Sequence, residues 1–258
     1  MNRVESAFSR GKAFIPFVTA GDPCLETTGQ LVLRMADAGA DLIELGIPFS
    51  DPMAEGQVIQ QADVRALAAG TTADAVFEMV GRLRTKTDVP LALMTYMNPV
   101  FVYGADKFLE NCSHTGIDAL IVPDLPFEEK GELEPQCQKN DVALISLIAP
   151  TSGQRIQKIA AQAQGFVYCV SSLGVTGVRA QITTDIGQLV SKVKAVKNIP
   201  CAVGFGVSTP QQAREMAEVA DGVIVGSAIV KLVAQYGRQS AAPVAEYVRR
   251  MKQAISGK

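Results

Sequence analysis

Short apolar runs alternate with helix-patterned segments along this whole chain. That alternation limits its fold more than any other feature. The runs cover residues 13–19, 42–45, 90–96, 117–122, 142–148, 165–170, 200–203 and 221–225. Most are followed by glycine, proline, aspartate or serine, and then by a segment with helical periodicity. Helical patterns fall at 25–37, at a pair 60–67 and 72–84 broken at Gly70, and at 105–114, 128–139, 152–161, 185–196 and 210–218. A short helix at 4–10 precedes the series and another at about 242–255 ends it. The spacing is about thirty residues, the length of one strand–helix unit. The pattern predicts an α/β fold, a (β/α)8 TIM barrel with extra N-terminal and C-terminal helices. A doubly wound open sheet is the competing architecture, but no G-x-G-x-x-G follows the first run. No linker or low-complexity segment interrupts the chain, so residues 1–258 are read as a single barrel domain. A weak internal echo supports the repeat. A-G-A-D-L-I-E-L-G, T-G-I-D-A-L-I-V-P-D and E-V-A-D-G-V-I-V-G-S share a helix end, an aspartate and an apolar strand.

Composition narrows the function. A net charge of -2 and a pI near 5.6 argue against a nucleic-acid surface. The apolar runs are of strand length, so no membrane span is expected. The N-terminus lacks the apolar core of a signal peptide. Five scattered cysteines without a C-x-x-C point to reduced thiols in a cytoplasmic protein. One histidine, His114, excludes Ser-His-Asp chemistry and a multi-histidine metal site, and no metal is expected. Its place in the last turn of a helix suits a dipole contact.

The stretch D-L-I-E-L-G-I-P-F-S-D-P-M-A-E-G-Q-V-I-Q-Q, residues 41–61, carries the chemistry. Glu44 interrupts an apolar strand, where an ionised group is costly unless paired or placed in a working pocket. A salt-bridged core carboxylate is the competing explanation. Glu55 lies in the loop that follows. Two acids in different surroundings can hold different protonation states, which general acid–base catalysis requires. Other polar candidates at strand ends are Tyr96, Asn98, Asp124 and Tyr168. Tyr96 and Tyr168 could equally be barrel-filling residues, and Asp124 a turn residue between prolines. Gly174 and Gly177, Gly204 and Gly206, and Gly226 follow the last three strands. Glycines there let backbone N–H groups approach an anion, and Ser227 could open a short helix toward it. Arg179 is the one basic residue in those loops, so backbone donors would hold the anion.

The run E-L-G-x-P-F-S-D-P-x-A-[acid]-G-x-x-I-Q resembles the tryptophan synthase alpha chain, and the likeness extends over essentially the whole sequence. S-x-x-G-V-T-G, G-F-G-V-S-T-P, G-S-A-I-V-K, P-D-L-P and Tyr96-Met97-Asn98-Pro99 are similar to other segments of that family. The resemblance implies a retro-aldol cleavage of indole-3-glycerol phosphate to indole and glyceraldehyde 3-phosphate. It implies Glu44 as general acid/base and Glu55 as acceptor of the indole N–H. Phe17, Met94 and Ile121 would line the indole pocket, and Tyr168 would neighbour the glycerol chain. Thr176, Gly177, Phe205, Gly206, Gly226 and Ser227 would hold substrate near its phosphate. Asp51 and Pro52 would meet a beta chain in an alpha2beta2 assembly. The chain would need no cofactor of its own, and pyridoxal phosphate would belong to the beta chain. One departure stands out: Glu55-Gly56-Gln57 replaces the commoner Asp-Gly-Pro. Two other functions fit the bare residues, a different phosphate-binding barrel enzyme and a weakly active chain that mainly activates its partner.

Overall fold

The computed structural model describes residues 3–170, 179–204 and 206–257. Its parallel strands are β1 (Ala13–Thr19), β2 (Ile43–Gly46), β3 (Leu91–Met94), β4 (Ala119–Ile121), β5 (Ala143–Leu144), β6 (Ser146–Ile148), β7 (Val167–Val170), β8 (Cys201–Gly204) and β9 (Gly222–Val225). Their order is β5-β4-β3-β2-β1-β9-β8-β7-β6. The two ends of that order are halves of one stretch, separated only by Ile145. The first half pairs with β4 and the second with β7, while the Ile145 N–H donates to the Leu120 carbonyl at 2.9 Å. The barrel therefore closes through the run at 142–148. The sequence predicts one strand there, and the structure splits it where it changes neighbours.

Pro16 sits at a similar change. Residues Ala13 to Pro16 pair with β9, whereas Phe17 to Thr19 pair with β2. A proline donates no ladder hydrogen bond, and this handover gives it a place inside a central strand.

Alternation along each strand separates two cores. Ile15, Leu42, Ala92, Ile121, Ile145, Phe166 and Ile224 fill the barrel. Phe14, Val18, Ile43, Leu45 and Leu93 face the helices. Helix α1 (Arg3–Ser6) plugs the N-terminal end through Val4, and Phe8 beyond it meets the Phe166 ring at 5.5 Å. The internal echo has a physical explanation. Its three aspartates occupy one structural role, each tying its strand to the neighbouring one. Asp41 accepts the Phe14 N–H at 2.7 Å, Asp118 that of Leu91 at 2.9 Å and Asp221 that of Cys201 at 2.8 Å. Each also pairs with a helix-borne cation: Lys252 at 2.7 Å, Arg84 at 2.6 Å and Lys194 at 2.7 Å.

Four elements differ from expectation. Tyr96 does not end β3. It caps helix α2 (Met97–Tyr103), with Pro99 in the first turn where its missing N–H costs nothing. The single helix expected at 128–139 is a 3-10 turn, Phe127–Glu132, followed by a new helix, Glu134–Lys139. Pro135 fits only a first turn, so the helix restarts just before it. The helix expected from Gln60 begins three residues earlier, as α3 (Gln57–Ala68), with Gly56 at its N-cap. A ten-residue helix, α4 (Ser227–Tyr236), starts directly after Gly226, longer than the short helix foreseen at Ser227.

Candidate active site

The C-terminal ends of β1, β2 and β3 build the cleft, beginning with Glu44. Strand β2 alternates, so Leu42 and Glu44 point into the barrel. Glu44 lies in register with Phe17 on one side and Ala92 on the other. It is fully buried, and neither carboxyl oxygen has a hydrogen-bond partner. The salt-bridged alternative is thereby excluded. Removal from water pushes its pKa up to about 8, so the group keeps its proton at neutral pH.

Glu55 approaches from the loop between β2 and α3. It is half-buried, and its Oε2 is buried without a partner. Burial raises its pKa, opposed by a hydrogen bond from the Asp63 carboxyl. The loop is fastened at two points. Gln60 Nε2 donates to the Glu55 carbonyl at 2.8 Å, and the Ala54 N–H donates to the Tyr96 hydroxyl at 3.0 Å. The Tyr96 ring also lies 5.5 Å from Phe49 on the same loop. Asp124 accepts the Met97 N–H at 2.9 Å and so holds the first turn of the helix that Tyr96 caps. Tyr96 and Asp124 are thus fasteners of the site's walls. Asn98 is exposed on that helix.

Aromatic rings occupy space that glycines leave free. A Cβ at Gly46 would lie 2.6 Å from Phe17 Cζ, and one at Gly204 would lie 2.4 Å from the Tyr168 hydroxyl. Gly204 is therefore needed for packing. Gly206 has φ +79°, a conformation that favours glycine. Gly226 is different: a Cβ there would make an ordinary 3.4 Å contact with Phe17. Free of both constraints, it stands at the start of a helix whose first-turn N–H groups lack intrahelical acceptors, an arrangement that suits an anion. Ser227 is exposed at that start.

Phe17 and Met94 share an apolar cluster with Val58, Ile59, Ala62 and Val230. Met94, Ile121 and Tyr168 share the barrel-filling cluster. The carboxyls of Glu44 and Glu55 both disfavour ionisation of the buried Tyr168 phenol, which places all three around one space. Gly174, Thr176, Gly177 and Phe205 lie outside the described residues. Asp51 is exposed, accepting a hydrogen bond from Ser50 at 2.5 Å, and Pro52 is half-buried.

One acid escaped the sequence analysis. Asp63 is 4% exposed and lies on the inner face of α3 with Ala62 and Ala66. An acid on the apolar face of a helical pattern was the available signal, the same anomaly that marks Glu44. Among the described residues no group of three or more His, Cys, Asp or Glu is arranged to hold a metal ion. No helix there is long and apolar enough to cross a membrane.

Barrel and cleft together define a (β/α)8 enzyme whose chemistry is built on carboxyl groups. The comparisons specify it further. The tryptophan synthase alpha chain family model matches residues 5–256. The alpha chain of Lactiplantibacillus plantarum is 49% identical over 259 residues, covering 100% of this chain and 98% of the relative. That of Lacticaseibacillus casei is 46% identical over 258 residues, covering 100% and 97%. The crystal structure of tryptophan synthase subunit alpha from Legionella pneumophila superposes with a TM-score of 0.91 at 37% identity, covering 100% of both chains. A chain of the tryptophan synthase complex from Pyrococcus furiosus gives 0.85 at 33% identity, covering 95% of this chain and 99% of that one. The chain belongs to the tryptophan synthase alpha chain family.

Proposed function

We propose that Glu44 carries the protons and Glu55 binds the ring nitrogen in the family reaction. The chain is a carbon–carbon lyase of tryptophan biosynthesis. It splits indole-3-glycerol phosphate into indole and glyceraldehyde 3-phosphate. Protonated Glu44 gives its proton to indole C3, and positive charge develops on the ring nitrogen. The Glu55 carboxylate, with its buried free oxygen, stabilises that charge through the N–H. Glu44, now ionised, takes the proton of the hydroxyl next to C3. The C–C bond then breaks, its electrons restore the aromatic ring and the aldehyde leaves. One proton is given and one recovered, so a single carboxyl group suffices.

Phe17, Met94 and Ile121 line the indole site in this reading, and Tyr168 sits beside the glycerol chain. Phosphate lies against Gly226, Ser227 and Gly206, with Thr176, Gly177 and Phe205 assigned from family resemblance. The partner is a tryptophan synthase beta chain, in an alpha2beta2 assembly, which would consume the indole. Asp51 and Pro52 are assigned to that contact, supported by their place on the cleft rim. The chain uses no cofactor of its own, and pyridoxal phosphate belongs to the beta chain. Residues 1–258 work as one barrel domain in the cytoplasm, a placement supported by five free cysteines.

The observation that carries the reading is Glu44, a buried carboxyl with two unpartnered oxygens at a barrel strand's working end. The test measures indole release from indole-3-glycerol phosphate by the isolated chain, then with a beta chain added. Release without partner, increased by partner, is expected. Release only with partner would favour an activating role, and none in either case would overturn the reading.

A further inference from the structure

We infer that Asp63 is a positioning residue for Glu55: the two carboxyl groups share one proton, and Asp63 holds it so that Glu55 presents an ionised oxygen to the substrate ring. This deepens the proposed function, because it rests on Glu55 as the ring N–H acceptor. Asp63 is buried and hydrogen-bonded to Glu55. Asp22, in the loop after β1, adds a third carboxylate to the same region. The Arg65 guanidinium, two residues along α3, is committed to Asp22 through contacts of 2.8 and 2.7 Å. It leaves Glu55 and Asp63 to manage their charge together. Two buried carboxyls in hydrogen-bond contact cannot both ionise cheaply, so one proton stays between them.

The fold decides which of them keeps it. Glu55 immediately precedes the N-cap of the twelve-residue α3, whose N-terminal dipole favours a carboxylate. Asp63 lies in the seventh position of that helix and gains no such help. Burial, and then the Glu55 carboxyl beside it, push the Asp63 pKa up to about 8; burial raises that of Glu55 too, but there the shared hydrogen bond opposes the rise. Asp63 donates to one oxygen of Glu55. The other, Oε2, remains buried and unpartnered. The remaining titratable neighbours are Tyr96, whose phenol is raised by burial and then by Glu55, Asp63 and Asp124, and Tyr168, raised by burial and then by Glu44 and Glu55. Both phenols stay neutral while Asp63 titrates.

The experiment measures binding of a 3-indolylalkyl phosphate and of its benzothiophene counterpart, which lacks the ring N–H. Calorimetry compares the parent, Asp63→Asn and Asp63→Ala, below and above about pH 8, where Asp63 loses its proton. Glu44 titrates in the same range but meets both ligands alike, so their affinity ratio isolates Glu55. In the parent, preference for the indole of about 10–100-fold is expected below that pH, shrinking above it as Asp63 ionises. Asp63→Asn keeps a donor without a second charge, so its preference should persist at both. Asp63→Ala should lose most of it at both. An Asp63→Asn variant with the parent's alkaline loss, or an Asp63→Ala variant with full preference, would overturn the inference. A second readout uses ligand-free protein: the infrared band of protonated carboxyl groups at neutral pH should weaken in Asp63→Asn. An unchanged band would overturn the shared proton. A parent without N–H preference would instead remove Glu55 as ring acceptor, and the positioning role with it, while the band still reports on the proton.

Discussion

Glu44 trades stability for chemistry. Its folded pKa of about 8 lies well above that of an exposed glutamate near 4.5. Between those values the folded chain holds a proton that the unfolded chain has released. Stability from this group is therefore complete below about pH 4.5 and is lost as pH rises toward 8, by about 1.4 kcal/mol per pH unit. Glu44→Gln should abolish this slope and raise stability at neutral pH by on the order of 1–3 kcal/mol, measured by denaturant unfolding across pH. The same variant should lower kcat by at least ~100-fold, because an amide cannot shuttle protons. A rate within a few-fold of the parent would remove Glu44 from the mechanism. Glu55→Asp tests the fit of the longer acid. The shorter side chain cannot both reach Asp63 and leave its second oxygen at the ring. A shift of about 1 Å at such a contact can cost ~100-fold, so kcat/KM should fall, and further in Glu55→Ala. Equal activity of Glu55→Ala and the parent would show that Glu55 does not meet the ring.

Elements are held in register by the three aspartates of the internal echo. Asp118 is the most heavily used, accepting the Leu91 N–H and pairing with Arg84 at 2.6 Å and Arg3 at 2.7 Å. Arg84 is itself largely buried and also donates to the carbonyls of Gly116 and Val89. Asp118→Ala should cost about 2–4 kcal/mol, since it strands a buried guanidinium and a strand N–H. Thermal unfolding measures this, and a melting temperature equal to the parent's would show the network to be dispensable. The loop at 47–56 shows how elements cooperate at the other end of the barrel. Its glycine, proline and polar residues predict mobility over residues 47–61, of which 57–61 instead form the start of α3. Yet Tyr96, at the N-cap of the helix after β3, and Gln60 on α3 tie it, and Asp124, in the loop after β4, holds the first turn of the helix that Tyr96 caps. Gln57, which stands where the Asp-Gly-Pro run of the family resemblance would place proline, is the first residue of α3. Proline and glutamine are both acceptable there, because a first-position N–H is unpaired in either case.

At the scale of the whole molecule, the cleft and the proposed partner surface share one end of the barrel. Met53 follows β2 and is 90% exposed; Phe101 and Val102 follow β3 and are 78% and 76% exposed. Exposed apolar groups gathered on a rim mark an interaction surface. Asp51 and Pro52, proposed above to meet the beta chain, adjoin Met53 in sequence, so these exposed apolar groups extend the proposed partner surface. Phe101→Asp should weaken beta-chain binding by about 10–100-fold, as for a buried interface anchor, without changing the isolated chain's melting temperature. Titration calorimetry against the beta chain is the check, and undiminished affinity would exclude this part of the rim.

Strand and helix existence was legible in the sequence because burial on two faces leaves local marks. Apolar runs of strand length and helical periodicity located nearly every element, and Ala13–Thr19 and Leu25–Asp37 agree to the residue. Glu44 was legible for the same reason, as a charge where the pattern demands an apolar group. Tertiary structure alone decided the rest. Closure at Ile145 depends on two neighbours far apart in sequence. The division of the glycines, with Gly204 serving Tyr168 and Gly226 left free, depends on which ring occupies the space above each. Asp63 gains its meaning only when α3 brings it to Glu55, because a carboxyl group's protonation is set by neighbours in space. Sequence periodicity reports which side of an element faces the core; it carries no record of which charges meet there.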